Sequence, residues 1–133
     1  MCRQGEALPT NCRVLIVENE VDAVVELGEW LELKQIGYVA ATRPIDALTL
    51  IANNESIEIV ILDGHMSKMS GFDLIPFIEH RLPTGRNLRY VIITGHPSAN
   101  DYEMADQLGV FAFFEKPIDL NALENALRAC LTD

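Results

Sequence analysis

Five polar residues from four separate parts of the chain have side chains that could do chemistry together. Glu18 and Asn19 follow one apolar run, Asp63 follows a second, Thr94 ends a third, and Lys116 comes just after a fourth. Carboxylate and amide oxygens can bind a divalent cation, and an ionised aspartate can also act as a nucleophile. A lysine ammonium and a hydroxyl can bind the oxygens of a phosphoryl group. If the fold brings them together, they predict a polar ligand-binding pocket at one edge of the molecule.

The apolar runs before these residues have the length and composition of buried parallel strands. The clearest covers residues 57–62, is rich in β-branched side chains, and ends abruptly in Asp63 and a loop with glycine, serine and lysine. Ligands of open α/β sheets bind beyond the carboxyl ends of the strands. The sequence therefore predicts that Asp63 lies at the ligand-binding edge of a sheet.

Extended and helical patterns alternate along the whole chain. Five strands alternating with five helices through short connections predict a parallel sheet with helices on both faces. The expected strands are residues 13–17, 38–41, 57–62, 88–94 and 110–114. The expected helices are residues 21–34, a segment from Thr42 to Asn54, residues 72–80, residues 100–108, and a last helix that Asp119 caps.

Local signals give sharper expectations for the helices. Gly37 should end the first helix, and Thr42 should cap the second. Pro76 should bend the third helix or delay its start, because proline cannot donate a backbone hydrogen bond. Ile45 and Leu120 lie at helical spacing from other apolar residues, so both are expected on inward faces.

Composition limits the classes of protein to which the chain can belong. At 133 residues and 49% hydrophobic, it suits one domain with a real core. A net charge of −10 argues against direct binding to nucleic acid, which requires clustered lysine and arginine. No run reaches the roughly 18 residues of a membrane span, and no signal peptide is visible, so a cytoplasmic protein is expected. Cys2, Cys12 and Cys130 are odd in number without metal-type spacing, which predicts ordinary reduced thiols.

The chain resembles the receiver domain of two-component response regulators over about residues 13–131. The order and spacing of four motifs carry the resemblance. They are the acidic cluster at 18–20, the run 63–71 that matches D-x-x-M-P-x-x-x-G with Ser67 for the proline, Ile93-Thr94-Gly95-His96, and Phe114-Glu115-Lys116-Pro117. The resemblance implies a flavodoxin-like (CheY-like) fold with strand order 2-1-3-4-5. It also implies a receiver domain over residues 13–133, preceded by a flexible leader over residues 1–12.

The same resemblance implies a phosphorylation switch rather than an enzyme with an external substrate. Asp63 would accept a phosphoryl group from a histidine kinase or a histidine phosphotransfer protein, with Lys116 and Thr94 on the phosphoryl oxygens. Thr94 and Phe113 would be the switch residues. The chain would catalyse only its own phosphorylation and dephosphorylation. The peptide bond between Lys116 and Pro117 would be cis.

Mg²⁺ is the metal that the resemblance implies. Its ligands would be Glu18, Asn19, Asp63 and the backbone carbonyl of His65. Most receivers carry two adjacent acids where this chain has Glu18-Asn19. An amide still offers a hard oxygen, but a full negative charge beside the cation is missing. We therefore expect weaker Mg²⁺ binding and slower phosphorylation than in an ordinary receiver.

Output is the part of the function that the sequence defines least. By resemblance, a downstream protein would bind the face formed by the fourth helix, the fifth strand and the fifth helix. Homodimerisation through this face is a family habit, and charges such as Asp101 and Arg128 do not decide it. The kinase, the target and the stimulus are not encoded in a recognisable way. If 133 residues is the whole gene product, output must come from another protein or a phosphorelay; if the domain is excised, its effector is not in view.

Two other function classes suit the same fold. A pseudo-receiver would be a protein-interaction module that is never phosphorylated, and Glu18-Asn19 is the best argument for it. The retained Asp63, Thr94 and Lys116 argue against it. A flavin- or nucleotide-binding protein would need a phosphate-binding loop after the first strand, where this chain is anionic.

Overall fold

The computed structural model describes residues 12–66, 69–82 and 86–131, and in it strands and helices alternate along the chain. All strand pairs are parallel, and the sheet order is β2-β1-β3-β4-β5, so the predicted fold is confirmed. The strands are β1 (Cys12–Val17), β2 (Gly37–Ala41), β3 (Ile59–Asp63), β4 (Arg89–Thr94) and β5 (Ala112–Glu115). The helices are α1 (Val21–Leu33), α2 (Pro44–Asn53), α3 (Gly71–Arg81), α4 (Ala99–Gln107) and α5 (Leu120–Cys130).

The central strands are buried on both faces. Along β3, Val60 and Leu62 pack into one core with α2 and α3, whereas Ile59 and Ile61 pack into a second core with α1 and α5. Successive strand residues point to opposite faces, so a strand between two helical layers must be apolar throughout. This is why an unbroken apolar run predicted β3 correctly.

The strand register sets the positions of the polar residues at the carboxyl edge. Val17 of β1 pairs with Leu62 of β3, which places the next residue of each strand, Glu18 and Asp63, beside each other. Asp63 pairs in turn with Ile93 of β4, one residue before Thr94. The parallel sheet therefore gathers side chains that are far apart in sequence.

The expected helix ends are partly wrong. Gly37 does not end α1, because it already belongs to β2. Instead Gln35 takes the left-handed φ of 60°, and its N–H and that of Ile36 donate to the carbonyls of Glu32 and Leu31. This is a Schellman-type end, a motif in which glycine is the common residue and is not obligatory.

One further expectation about a helix start fails, and for Pro76 the structure excludes the delayed start, which was one of the two expected outcomes. The residue before α2 is Arg43 rather than Thr42, and its side chain makes no capping hydrogen bond to the helix backbone but binds Asp46 at 2.8 and 3.1 Å. Pro76 lies inside α3 and does not delay its start. Asp119 does cap α5, accepting hydrogen bonds from two backbone N–H groups of its first turn.

Ile45 and Leu120 are not on the inner faces of their helices. Their side chains are 55% and 42% exposed. Along a helix, every third residue is rotated by about 60° relative to the one before it. A long row of such residues therefore leaves the buried face at one end. The row that ends at Ile51 is buried there and emerges at Ile45.

The N-terminal boundary and the cysteines differ from expectation. Cys12 is the first residue of β1, one residue before the predicted start, and it is disulfide-bonded, so reduced thiols are the wrong expectation for it. Cys130 is a free, buried thiol. A count of cysteines cannot show which of them the fold brings together. Residues 1–11 of the expected leader, with Cys2, and Ser67 lie outside the described residues. Within the described ranges, no helix is long and apolar enough to cross a bilayer.

Gly71→Ala should destabilise the protein. A Cβ at position 71 would lie 2.5 Å from the carbonyl oxygen of Asp63, so either the start of α3 or the end of β3 must shift. We expect a loss of about 1–3 kcal/mol in the free energy of unfolding, measured by urea denaturation. Gly95→Ala is the matched control, because a Cβ there meets nothing within 4 Å. Equal unfolding midpoints for the two variants would contradict this account.

Candidate functional site

A lysine and two carboxylates meet at the carboxyl edge of the sheet. The Nζ of Lys116 donates a hydrogen bond to Oδ2 of Asp63 at 3.1 Å and lies 3.7 Å from Oε1 of Glu18. These residues stand at or just after the ends of β5, β3 and β1. The Asp63 side chain is only 12% exposed, whereas Lys116 is exposed. One side of the charge cluster therefore faces solvent.

The second oxygen of Asp63 is held by the backbone. The N–H of His65 donates to Oδ1 of Asp63 at 2.9 Å. With Lys116 on the other oxygen, each carboxylate oxygen has one donor. Charge-assisted hydrogen bonds of this kind fix the direction of a carboxylate. Asp63 is thus pre-oriented toward the open edge.

Glu18 sits in an unfavourable place for an anion. Burial, then hydrogen bonding with Asp63, and the charge of Asp63 raise the pKa of Glu18, although the N–H of Glu20 and the charge of Lys116 oppose the rise. For Lys116, burial works to lower the pKa, but the hydrogen bond with Asp63 and the nearby acids raise it overall. Lys116 is therefore a stable ammonium between two crowded carboxylates.

Thr94 lies beside this cluster but bonds within its own segment. It is fully buried at the end of β4, and its hydroxyl donates to the carbonyl of Gly95 at 3.4 Å. A Cβ at Gly64 would lie 3.1 and 3.2 Å from Thr94 side-chain atoms, so Thr94 packs directly on the residue after Asp63. The carbonyl of Thr94 accepts the N–H of Lys116 at 2.9 Å. Thr94 thus touches the segments that carry both other residues.

Phe113 lies half-buried in a row of aromatic rings. Its ring centroid is 6.3 Å from that of Phe72 on α3 and 4.7 Å from that of Tyr102 on α4. Tyr102 is exposed. Phe113 therefore connects the inner packing of α3 with the outer surface of α4.

The remaining predicted site residues lie at the same edge. Asn19 is exposed next to Glu18. The peptide bond between Lys116 and Pro117 is cis, the isomer that the resemblance implies. A cavity of about 390 Å³ begins at Glu18, Asp63 and Lys116 and continues beneath α1, where Trp30 forms part of its wall.

Asp101 is a residue of the site region that sequence reasoning treated only as a surface charge. Its Oδ2 lies 2.9 Å from Nε2 of His65, and its side chain is 9% exposed. The hydrogen bond from the Ser98 backbone first, and that from His65 second, lower the pKa of Asp101. The spacing Ser98-x-x-Asp101 is a capping-box signature, which could have indicated that Asp101 is committed to the start of α4.

The oxygen atoms at this edge are of the kind that bind a hard divalent cation, but fewer of them carry a negative charge than in a site with two adjacent acids. Among residues 12–66, 69–82 and 86–131, no group of three or more His, Cys, Asp or Glu side chains is arranged to hold a metal ion. Burial first, and the neighbouring Asp63 second, raise the pKa of Glu18, so two carboxylates lie close together at a site that disfavours negative charge. A cation would relieve this repulsion, and amide and carbonyl oxygens are ligands that Mg²⁺ accepts.

Comparison with known proteins gives a consistent family. A sequence model described as the response regulator receiver domain matches residues 14–128. The chain is 34% identical over 115 residues to the transcriptional regulatory protein GlrR of Escherichia coli, covering 86% of the chain and 25% of that protein. It is 24% identical over 121 residues to the sporulation initiation phosphotransferase F of Bacillus subtilis, covering 91% of the chain and 94% of that protein. The chain thus spans about a quarter of GlrR.

Solved structures show the same architecture. A response regulator receiver protein from Pseudomonas putida superposes with a TM-score of 0.82 at 24% identity, covering 92% of this chain and 99% of that one. A receiver domain protein from Clostridium thermocellum gives a TM-score of 0.80 at 25% identity, covering 90% of this chain and 94% of that one. These similarities support the observed strand order and helix arrangement.

Glu18→Gln should raise the free energy of unfolding of the metal-free protein at neutral pH. Because the folded-state pKa of Glu18 is raised, folding disfavours its ionised form. This cost is absent below the ordinary glutamate pKa of about 4.3, grows as pH rises toward the folded-state pKa, and persists above it. Urea denaturation with a chelator present, at neutral pH and below the ordinary pKa, measures the difference.

The matched control for this prediction is Glu29→Gln, which removes one exposed charge of the same sign from α1. Removing any acid from a chain of net charge −10 relieves some general repulsion. The gain for Glu18→Gln should exceed that of the control at neutral pH and vanish in acid. An equal gain in both variants would refute the prediction.

Proposed function

Because the chain belongs to the response regulator receiver domain family, we propose that it is a phosphorylation switch whose phosphoacceptor is Asp63. The supporting observation is the contact of 3.1 Å between Lys116 Nζ and Asp63 Oδ2, with the other Asp63 oxygen held by the N–H of His65. An aspartate prepared in this way is an oriented anion with a cation at its side. That arrangement orients a carboxylate oxygen and places positive charge where the oxygens of a phosphoryl group would lie, which is what phosphoryl transfer requires.

The proposed reaction transfers a phosphoryl group from a phosphohistidine to Asp63. An oxygen of Asp63 forms a bond to phosphorus, the bond from phosphorus to the donor histidine breaks, and that histidine leaves with the electron pair. Lys116 stays bound to the site and offsets the negative charge of the phosphoryl oxygens. Receiver domains interact with histidine kinases or phosphotransfer proteins, and we propose one of these as the donor here, acting in the cytoplasm.

Receiver domains generally bind Mg²⁺ at the phosphorylation site. We propose that Glu18, Asp63, the side-chain oxygen of Asn19 and the backbone carbonyl of His65 hold it in this chain. When bound, the ion supplies positive charge that draws together the carboxylate and the incoming phosphoryl oxygens. With an amide at position 19, this ligand set carries one negative charge fewer than that of a receiver with two adjacent acids. The affinity for Mg²⁺ should therefore be reduced.

We propose that Thr94 and Phe113 carry the signal outward. The Thr94 hydroxyl now bonds to Gly95, and a phosphoryl oxygen is a stronger, charged acceptor toward which it would turn. Its movement would disturb the packing against Gly64 and, through Phe72, the ring of Phe113. The output surface is then the face of α4, β5 and α5, where Tyr102 of α4 is exposed.

The identity of the output partner follows from neither relative. GlrR is named as a transcriptional regulator and the Bacillus subtilis protein as a phosphotransferase, and these names describe those proteins. For this chain we propose binding of a separate protein, or onward transfer of the phosphoryl group, through the α4, β5 and α5 face. Homodimerisation through the same face stays a prediction.

A pseudo-receiver is the second candidate function. It is favoured by Asn19 and by the lack of a three-residue metal cluster in the ranges that the structure describes. It is opposed by the contact between Lys116 and Asp63, which a permanently unmodified module does not require. The two candidates differ in whether Asp63 can be modified at all.

Incubation with acetyl phosphate and Mg²⁺ should add one phosphoryl group to the chain. Mass spectrometry of the intact protein should show the gain in the wild type and none in Asp63→Asn. Asp73→Asn, an exposed aspartate in the first turn of α3, should gain the group as the wild type does. No gain in the wild type at saturating Mg²⁺ would favour the pseudo-receiver.

Asn19→Asp should strengthen Mg²⁺ binding by roughly tenfold, because it restores a full charge beside the cation. Titration calorimetry measures this directly, and the fluorescence of Trp30, which lines the cavity next to the site, provides a second signal. Asn53→Asp, at the exposed end of α2, controls for added charge elsewhere. Equal affinity in Asn19→Asp and the wild type would remove Asn19 from the proposed ligand set.

A further inference from the structure

One pair of side chains connects the loop after Asp63 with the start of α4. The Nε2 of His65 lies 2.9 Å from Oδ2 of Asp101, the third residue of the helix. A carboxylate can only accept, so Nε2–H of His65 donates this hydrogen bond. The two residues are 36 positions apart, and the contact joins the loop after Asp63 to the first turn of α4.

Asp101 is held firmly at its end of this bridge. The same oxygen, Oδ2, accepts the backbone N–H of Ser98 at 2.9 Å, while the Ser98 hydroxyl accepts the N–H of Asp101 at 3.1 Å. This is a complete capping box. Ser98 ends the loop that begins after Thr94. One oxygen of Asp101 therefore ties His65 to both α4 and the loop that follows Thr94.

His65 is equally tied at its own end. Its backbone N–H holds Oδ1 of Asp63 at 2.9 Å, and its ring meets the ring of Phe72 edge-on with centroids 6.2 Å apart. A shift of the imidazole therefore acts on a backbone group that contacts the phosphoacceptor. The path from Asp63 to α4 consists of two direct hydrogen bonds joined by one residue.

We propose that the pair formed by His65 and Asp101 is a strut that couples the state of Asp63 to the start of α4, with Asp101 as a positioning residue for the Asp63 site. This path touches the aromatic row where the His65 ring meets Phe72, but it reaches α4 at its first turn through Asp101, whereas the row reaches α4 through Phe113 and Tyr102. The part of the proposal that concerns the phosphoryl group rests on the proposed function. The coupling in the unmodified protein does not.

Coupling between two sites is reciprocal. If the strut transmits changes at Asp63 to α4, its loss must weaken the protection of α4 from hydrogen exchange in the unmodified protein. A substitution of Asp101 must in turn change the surroundings of Asp63. A purely structural cap would stabilise α4 without altering the other end. These two consequences separate the strut from an ordinary helix cap.

The first experiment measures amide hydrogen exchange by NMR in the metal-free, unmodified protein. His65 is 54% exposed, so replacing it leaves the core intact. His65→Ala should speed exchange in the first turns of α4 by roughly threefold to tenfold, the loss of one hydrogen bond. His65→Gln, whose amide can donate to Asp101, should restore most of the protection. His80→Ala, exposed on α3, should change nothing there.

The proposal is overturned if His65→Ala leaves exchange in α4 at the wild-type rate, or if it speeds exchange equally throughout the sheet. A lack of rescue by His65→Gln would equally contradict it, because the hydrogen bond would then not be the cause. All of these readings are taken without metal or phosphoryl donor. They hold even if Asp63 is never phosphorylated.

The second experiment tests the reverse direction with two cap variants. Asp101→Ala removes the strut and part of the cap, whereas Ser98→Ala weakens the cap and leaves the carboxylate. Asp101→Ala should move the NMR amide resonance of His65 and alter the lifetime of the phosphoryl group on Asp63 at least threefold, and Ser98→Ala should do neither. In a His65→Ala background, Asp101→Ala should add no further change in lifetime.

Equal effects of Asp101→Ala and Ser98→Ala on the His65 resonance would show a cap alone and overturn the proposal, as would additive effects in the double variant. If Asp101→Ala does not fold, Asp101→Asn takes its place. It keeps one acceptor oxygen, replaces the other with an amide donor and removes the charge, so it should still shift the His65 resonance more than Ser98→Ala does. If the exchange and resonance results are as expected but Asp63 is never phosphorylated, only the proposed function is contradicted.

Discussion

The site depends on the contacts that the ammonium group of Lys116 makes with the carboxylates of Asp63 and Glu18. The parallel sheet gathers Glu18 and Asp63 at one poorly hydrated edge, where like charges repel more strongly than in water. Lys116 lies 3.1 Å from one carboxylate and 3.7 Å from the other, and it offsets this repulsion. The pKa of Glu18 is raised, first by burial and then by its contact with Asp63, so its ionised form is disfavoured even with Lys116 nearby. What remains is an edge that favours the arrival of another cation.

Backbone contacts help to position the described part of the loop after Asp63. The N–H of His65 orients Asp63, and the N–H of Gly71 donates to the carbonyl of Gly64 at 3.2 Å. Thr94 packs so closely on Gly64 that a Cβ there would lie 3.1 Å from the Thr94 side chain, so a larger residue would require its neighbours to shift. Because Gly64 and Gly71 have no side chains, the loop after β3, the start of α3 and the end of β4 can pack closely around Asp63. Asp63 is therefore in direct contact with the loop after β3 through His65 and with the end of β5 through Lys116.

The strands and the residues at their ends were predictable for a physical reason. A strand covered by helices on both faces must be apolar at every position, so β3 and β4 stand out as continuous runs with polar residues at their ends. Helix ends carry weaker signals. Gln35 takes the position that glycine usually takes, and Arg43 bonds to Asp46 rather than to the backbone. Competing local contacts of similar energy decide such positions, and the residue type alone does not rank them.

By itself the sequence determined the parallel sheet, its order through family resemblance, and the set of residues at its carboxyl edge, because burial and strand polarity follow from local composition. Tertiary structure alone decided which of those residues touch. The contact between Lys116 and Asp63 spans 53 positions, and that between His65 and Asp101 spans 36. It also decided that Cys12 is paired and that Ile45 faces solvent. Contacts between distant segments depend on the register and packing of whole elements, which no short stretch of sequence encodes.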